Sequence, residues 1–534
     1  MSNKTTPLAI VGISCLFPKA DGLQAYWANI KNGVNAITPV PADTHWNAAE
    51  YFDPDPKSPD RTYAQSGGFL SPVNFNPMEF GIAPKDIEAT DTSQLLSLVA
   101  AQRALADAGY AAGGSAGRKF DRERASVILG VTGALELVIP LGARLGHPIW
   151  RKALKEAGVE RAVAEDVVQR IADSYVGWQE NSFPGLLGNV TAGRIANRLD
   201  LGGTNCVVDA ACASSLAAVH LASLELAAGR SDLVITGGVD TFNDIFMYMC
   251  FSKTPALSPS GDAKPFDRDC DGTVLGEGLG MLVLKRLADA ERDGDRIYAV
   301  LKGIGSSSDG RSSGIYSPRA GGQKLALERA YDDAGATPAS VGLIEAHGTG
   351  TKVGDATELS SLIEVFRAAR PAGTWCALGS VKSQIGHTKA AAGVAGLIKA
   401  AMALHEKVLP PTIKVTQPID EAAPGRSPFY LNTGKRPWLP AAGHPRRAGV
   451  SALGFGGTNF HCVLEEHGAE RTEAAWEGDV EILAFSSERL EELRAQLAAQ
   501  PTDSSWPDFR RTAQQSRLQF RREYTGGSAS GTGP

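Results

Sequence analysis

The chain has 534 residues, 43% of them hydrophobic and 21% charged, with a formal net charge of −6. That balance suits a large folded core and excludes a disordered polyelectrolyte. No basic stripe interleaved with aromatics is present, which excludes nucleic acid as a partner. The seven cysteines are odd in number and scattered, without a CxxC pair, so they read neither as a disulfide framework nor as a zinc site. Reduced thiols and a cytoplasmic location follow, and no apolar run approaches the roughly 20 residues needed to span a bilayer. The 59 glycines gather in short runs ("GGVD", "HGTGT", "GFGGTN"), a pattern expected where backbone approaches a site closely.

In chain order, "PLAIVGI" reads as a first buried strand rather than a signal peptide, because it holds a Pro and a Gly and no cleavage site follows. "ASVILGV", "NCVVDA", "DLVITGG" and "GMLVLKR" complete the strands of a first half. "YAVLKGIGSS", "GLIEAHG", "WCALGSV", "RAGVSALGF" and "NFHCVLEE" supply those of a second. Helical patterns separate them, which implies α/β layers.

Each half also contains a strand, a corner and a small-residue helix: "NCVVDAACASSLAAVHLASLELAAG" and "WCALGSVKSQIGHTKAAAGVAGLIKAAMALH". The expectation is a duplicated unit with two central helices about a pseudo-two-fold axis. The boundary falls in the charged stretch Lys285–Asp295, giving halves of about 1–288 and 289–466. Beyond Glu466 the texture turns polar. "VEILAFSSERLEELRAQLAAQ" reads as a strand and then a helix with Ser487 near its N-cap. Residues 467–524 are read as an α/β linker fragment and 525–534 as a flexible tail. The unfinished unit suggests a piece of a longer multidomain protein.

Cys212 stands where an apolar strand meets a helix. A thiol at a helix start lies near the positive end of the macrodipole, which lowers its pKa and favours the thiolate. Helix-start N–H groups are also available to an oxyanion. On this stretch alone, Cys212 is equally well a nucleophile or a small buried hydrophobe. Cys206, mid-strand, reads as core, and so does His220, two turns into the helix. A thiolate nucleophile needs a basic or cationic partner. His347 in "EAHGTGT" ends a strand, and His387 in "KSQIGHTKAAAG" opens the second central helix, at a corner equivalent to that of Cys212. An imidazole at a helix start stays neutral and can donate to a developing enolate. "LGFGGTNFH" is either a loop approaching a ligand or a structural hairpin.

With these motifs in order, the chain resembles the β-ketoacyl synthases of the thiolase superfamily from Pro7 to about Glu466. The resemblance implies a duplicated thiolase-like five-layer αβαβα fold with a C-terminal α/β linker fragment. It implies Cys212 as the acyl-accepting nucleophile and His347 and His387 as the pair promoting malonyl decarboxylation. Lys382 becomes their electrostatic support. The N–H groups of Cys212 and Phe455 form an oxyanion hole, with the Phe455 ring as a gate. Thr349 and Thr351 become contacts of a phosphopantetheine arm, and Gly456 and Gly457 further substrate-binding positions. For Asp355 and Glu358 in "GDATE" the expected role is a structural ion pair.

Thiolases carry a second cysteine, chalcone-synthase-like and initiating enzymes an asparagine for one histidine, and chain-length factors lack the cysteine. Dissociated elongating synthases have a glutamate where this chain has Gly396, so the chain resembles multidomain polyketide-type synthases instead. "FNPMEFGIAPKDIEATDTSQLLSLVAAQRAL" and "SYVGWQENSFPGLLGNVTAGRIANRLDLGGTN" are most similar to ketosynthases of polyunsaturated-fatty-acid-synthase-type multienzymes. The implied reaction is a decarboxylative Claisen condensation with no metal or bound cofactor, the phosphopantetheine arm belonging to an acyl carrier protein. Implied partners are acyl carrier protein domains, an acyltransferase domain of the same multienzyme and a second copy of the chain. An ordinary modular ketosynthase, a condensation-incompetent scaffold and an acyltransferase without chain extension remain alternatives.

Overall fold

Apolar runs rich in Val, Ile and Leu, too short for buried helices, pair into one large sheet. The computed structural model describes residues 6–468, 480–500, 505–521 and 528–532, apart from 44, 112–116, 133–134, 312–313, 424 and 440–442. The first half supplies β1 (Leu8–Leu16), β2 (Ala125–Val131), β3 (Asn205–Val208), β4 (Leu233–Asp240) and β5 (Gly278–Arg286). The second supplies β6 (Ala299–Ser308), β7 (Leu343–Glu345), β8 (Cys376–Gly379), β9 (Phe429–Leu431), β10 (Arg447–Gly454) and β11 (Thr458–Glu465). All ten strands expected from the sequence are among them; β9 was not foreseen.

The sheet order is β9-β8-β7-β10-β11-β6-β1-β5-β4-β2-β3. In the first half β1, β5 and β4 run antiparallel, and β4, β2 and β3 parallel. The second half repeats this: β6, β11 and β10 antiparallel, then β10, β7 and β8 parallel. The same strand order and the same directions in both halves establish the duplication, and the halves join where β1 pairs with β6.

The helices that position the site are α1 (Thr92–Asp107), α2 (Gly188–Leu199), α3 (Ser214–Ala227), α4 (Ile245–Lys253), α5 (Ala320–Ala334), α6 (Lys352–Ala369) and α7 (Ala392–Glu406). Helices α1 and α2 cover the outer face of the first half-sheet around Leu98, Leu105, Val127 and Leu129. Helices α5 and α6 cover the second around Leu327, Ile344, Leu362 and Phe366. Between the two half-sheets lie α3 and α7, packed through Leu216, Val219, Val394 and Ile398. Every residue of α7 from Ala392 to Leu404 is buried. The second half of α3 keeps one face open, since Leu221 and Leu224 are 38% and 53% exposed while Ala222 and Leu226 are buried.

The charged stretch Lys285–Asp295 at the boundary of the halves is packed. Lys285 is buried, and its ammonium donates to Asp293 at 2.7 Å, to the Tyr110 hydroxyl at 2.7 Å and to Asp295. The C-terminal segment departs from the sequence reading: the strand β12 (Val480–Ala484) and helix α8 (Leu490–Ala498) are completed by α9 (Trp506–Gln519) and β13 (Ser528–Thr532). β13 pairs antiparallel with β12 and lies in the segment read as a flexible tail. An open strand edge recruits backbone whatever its side chains. Helix α9 was hidden because only Ala513 of it is buried; Arg510 and Arg517 clamp it to the buried Glu481 at 3.0 and 2.7 Å. Ser487 lies two residues before the α8 N-cap position, Arg489, accepting from its N–H at 3.1 Å.

Close packing of α3 on the sheet depends on Gly130, where a Cβ would lie 2.4 Å from the Ser214 carbonyl carbon and 2.5 Å from the Ser215 nitrogen. Both obstacles are backbone. Gly130→Ala is therefore expected to destabilise by about 1–3 kcal/mol or more, as overpacking does, read as a lowered urea midpoint at unchanged slope.

Candidate active site

Cys212 sits in a single 3-10 turn, Ala211–Ala213, that turns β3 into α3. The corner is tight: Ala211 takes the left-handed conformation at φ 49°, which a residue with a Cβ seldom does. Side chains hold it there. Asp209 accepts from the Ala211 N–H at 2.9 Å, and the Ser214 hydroxyl accepts from the Ala210 N–H at 2.8 Å while donating to the Ala211 carbonyl at 2.6 Å. The Gly454–Gly457 loop closes over this corner. A Cβ on Gly454 would lie 2.2 Å from the Ala210 carbonyl, and the Phe455 N–H donates to the Cys212 sulfur.

The second half makes the same corner. Lys389 has φ 46°, and its N–H donates at 3.2 Å to Nδ1 of His387, as the Ala211 N–H does to Asp209. His387 therefore matches Asp209, and Ala390 matches Cys212. Because Nδ1 accepts, a neutral His387 carries its proton on Nε2, where it is a donor. Burial holds His387 well below the ordinary imidazole value, aided by the Lys382 and Lys389 cations. The ring of His347 stands edge-on to it, 5.3 Å between centroids. Burial, Lys382 and His387 likewise hold His347 well below the ordinary value. Its Nδ1 is buried without a hydrogen-bond partner among the described residues, the condition of a group waiting for a ligand.

His347 is set by its backbone. Its N–H and that of Gly348 donate to Glu358 at 2.7 and 2.8 Å, and its carbonyl accepts from the Lys382 ammonium. Asp355 accepts from Phe266 and Gly350 at 2.7 and 3.1 Å. Asp355 and Glu358 thus brace the loop as carboxylates on N–H groups, not as members of an ion pair. Burial pushes the Asp355 carboxyl up to about 7. Thr349 and Thr351 are half-buried, their hydroxyls 3.0 Å apart. Phe455 is 47% exposed, between the rings of Phe251 and Tyr316 at 6.1 and 6.5 Å. Gly457 needs its positive φ and abuts Asp309, whose N–H donates to its carbonyl at 2.8 Å, whereas Gly456 faces open space.

A cavity of about 500 Å³ opens beside the site, lined by Val131, Leu135, Phe242, Phe246, Met247 and Lys389 among others. Phe246 and Met247 of α4 form part of its wall. Lys389, which drew no attention in the sequence, lies between cavity and corner. Its buried ammonium reaches Asn243 at 2.7 Å, the Gly276 carbonyl at 2.9 Å and Asp240 at 3.0 Å. Three contacts saturate its three protons, so it acts on the site by its field. His220, expected in the core, is only half-buried, with its ring against that of Phe460. No group of three or more metal-ligating side chains occurs among the described residues, and no described helix is long and apolar enough to cross a membrane.

One electrostatic expectation reverses. Burial pushes the Cys212 thiol up to about 11, and the Lys382 and Lys389 cations and the Phe455 N–H only partly oppose it. A helix start alone would lower it; removal from water is the larger effect here. The resting site therefore holds a thiol at neutral pH. Labelling of the Cys212 peptide by iodoacetamide is expected to keep rising with pH beyond about 8.5, where an ordinary thiol levels off. Lys382→Met should move the rise to still higher pH, because it removes a cation that favours the thiolate.

The family model for the beta-ketoacyl synthase N-terminal domain matches residues 5–290, and that for the C-terminal domain matches 298–416. Among curated proteins the chain is 43% identical over 504 residues to a polyunsaturated fatty acid synthase subunit of Thraustochytrium, covering 92% of this chain and 18% of that one. It is 38% identical over 466 residues to the polyketide synthase PksL of Bacillus subtilis, covering 87% of this chain and 9% of that one. The chain thus spans a small part of these relatives. Of solved structures, a mutant of the ketosynthase from module 6 of the Bacillus subtilis bacillaene synthase superposes with a TM-score of 0.74 at 33% identity, covering 96% of this chain and 80% of that one. The PfaC keto synthase–chain length factor gives 0.75 at 31%, covering 93% and 53%. Duplicated strand order, facing corners and these matches agree: the chain belongs to the β-ketoacyl synthase family.

Proposed function

We propose that this chain catalyses decarboxylative Claisen condensation of a Cys212-bound acyl group with a malonyl thioester, giving a β-ketoacyl thioester and CO2 in polyketide or polyunsaturated fatty acid synthesis. The observation that carries the reading is the convergence, around one buried cysteine, of two neutral histidines, a buried lysine and an N–H donor from the Gly454–Gly457 loop. In the first half-reaction the Cys212 sulfur attacks the thioester carbonyl of an acyl carrier. The thiol proton leaves with the departing pantetheine thiol, and the N–H groups of Cys212 and Phe455 donate to the oxyanion, each worth a few kcal/mol.

In the second half-reaction the malonyl thioester enters. Its carboxylate leaves as CO2, and the electron pair becomes an enolate. His387, as an Nε2–H donor, and His347 hydrogen-bond the enolate oxygen; neutral imidazoles do this without giving up a proton first. The enolate carbon then attacks the acyl carbonyl, and the Cys212 sulfur departs. Lys382 fixes His347 through its carbonyl and repels any proton that would charge either ring.

We assign Thr349, Thr351 and the Gly456–Gly457 backbone to the phosphopantetheine arm of a carrier protein, and the 500 Å³ cavity to the acyl chain. A C2 dimer through the free edge of β3, with Leu224 exposed beside it, fits the layout. Residues 1–466 form the catalytic unit, and the segment beyond leads toward an acyltransferase of the same multienzyme. Seven unpaired cysteines suit the cytoplasm.

Intact mass after incubation with a panel of acyl thioesters is expected to show an adduct on the wild type and none on Cys212→Ala; covalent loading of that variant would sink the nucleophile. His347→Ala should lose about 10²-fold or more in CO2 release from malonyl thioester, the scale of general acid–base and hydrogen-bonding groups, while acyl loading falls far less. Equal loss of both steps would make His347 merely structural.

A further inference from the structure

Gly396 lies in the middle of α7, where glycine weakens a helix. A Cβ there would come within 2.8 Å of the Glu345 Cγ and 3.3 Å of the Val450 side chain. The space a side chain at 396 would take is occupied by the Glu345 side chain. Glu345 ends β7, two residues before His347, and is 2% exposed. One of its oxygens accepts from the Val381 N–H at 2.6 Å, immediately before Lys382. The other pairs with Lys399 of α7, whose side chain is 1% exposed. A single carboxylate thus ties together the strand that leads into His347, the turn that carries Lys382 and the second central helix.

Its charge faces Lys382 as well. The charged or titratable groups around the Lys382 ammonium are Glu345 on β7, Glu358 and Asp355 on α6, Cys212 on the first corner, and the His347 and His387 rings. Burial lowers the Lys382 value, and of the anions opposing that effect Glu345 acts most strongly. Glu358 and Asp355 are already engaged with four backbone N–H groups of the His347 loop and Phe266.

We propose that Glu345 is a positioning residue for the condensation, holding Lys382 charged and in register with His347, and that Gly396 is the vacancy on α7 that lets the carboxylate reach both. The role rests on the ketosynthase reading above. It adds to that reading a residue outside the Cys–His–His set and a reason for the glycine in α7.

The test compares E345Q, the double variant E345Q/K399M, G396E and the exchange E345A/G396E with the wild type. Two half-reactions are followed separately: CO2 release from malonyl thioester across pH, and acyl loading of Cys212. E345Q keeps the shape and the acceptor for Val381 but loses the charge. CO2 release is expected to fall about 10- to 100-fold, the cost of a misplaced catalytic group, and its alkaline limb to move to lower pH. The sign follows from removing an anion that favours the Lys382 cation. E345Q/K399M removes the buried partner too, so that a folding defect from an unpaired Lys399 is avoided; the alkaline limb should stay displaced. G396E should lower the melting temperature, and E345A/G396E should recover both melting temperature and CO2 release by supplying the carboxylate from the helix. A folded E345Q/K399M with wild-type CO2 release and an unmoved alkaline limb overturns the role of Glu345. A G396E protein as stable as the wild type overturns the shared space. Wild type that loads acyl groups but releases no CO2 overturns the condensation reading itself, and the Glu345 role with it.

Discussion

The starts of α3 and α7 approach until the hydroxyl of Ser215 on one accepts from the N–H of Val394 on the other at 3.0 Å. The rest of the site depends on that approach. A Cβ on Gly393 would lie 2.7 Å from Leu216, and one on Gly238 would lie 2.6 Å from the Ala390 carbonyl. Larger residues at those glycines would separate the two corners. Each corner in turn relies on a non-glycine residue in the left-handed region, Ala211 and Lys389. Such backbone strain persists only where surrounding contacts over-determine it. Here the contacts are a side-chain acceptor two residues upstream and a helix that cannot move away. Duplication supplies the geometry twice; the first copy uses it to present a thiol, and the second to orient an imidazole.

Bringing the corners together also dries the site, and drying sets its electrostatics. Cys212, His347, His387 and Lys382 are all nearly inaccessible. In such a place each group is pushed toward its neutral form: the thiol up, the imidazoles and the ammonium down. Neutral histidines suit hydrogen bonding to an enolate. A protonated thiol is a poor nucleophile, so the acyl-transfer step must lose that proton as the substrate arrives. The surrounding carboxylates do two different jobs. Glu358 and Asp355 bind backbone N–H groups and fix a loop, while Glu345 and Asp240 are matched by Lys399 and Lys389.

Much of this was legible in the sequence because strand, corner and helix are local. The ten runs that became strands are short, apolar and bounded by turn residues. Cys212, His347 and His387 could be singled out because each stands at the end of such a run, next to small residues. Less was legible where distant segments decide. The role of Lys389 depends on Asp240 and Asn243, which stand far away in the chain on the other half. Asp355 and Glu358 looked like members of an ion pair, since sequence shows charge but not the orientation of backbone N–H groups. Helix α9 was missed because an ionic clamp to Glu481, rather than an apolar face, holds it.

The sequence by itself determined the α/β class, the duplication, the order of the corners and the chemistry-bearing residues on them, because these follow from hydrophobic period and local turn chemistry. Tertiary structure alone decided the protonation of Cys212, the tautomer of His387, the space that Glu345 takes from Gly396 and the cavity wall formed by α4. Desolvation and steric exclusion are properties of everything packed around a group, and what surrounds Cys212 arrives from both halves of the chain.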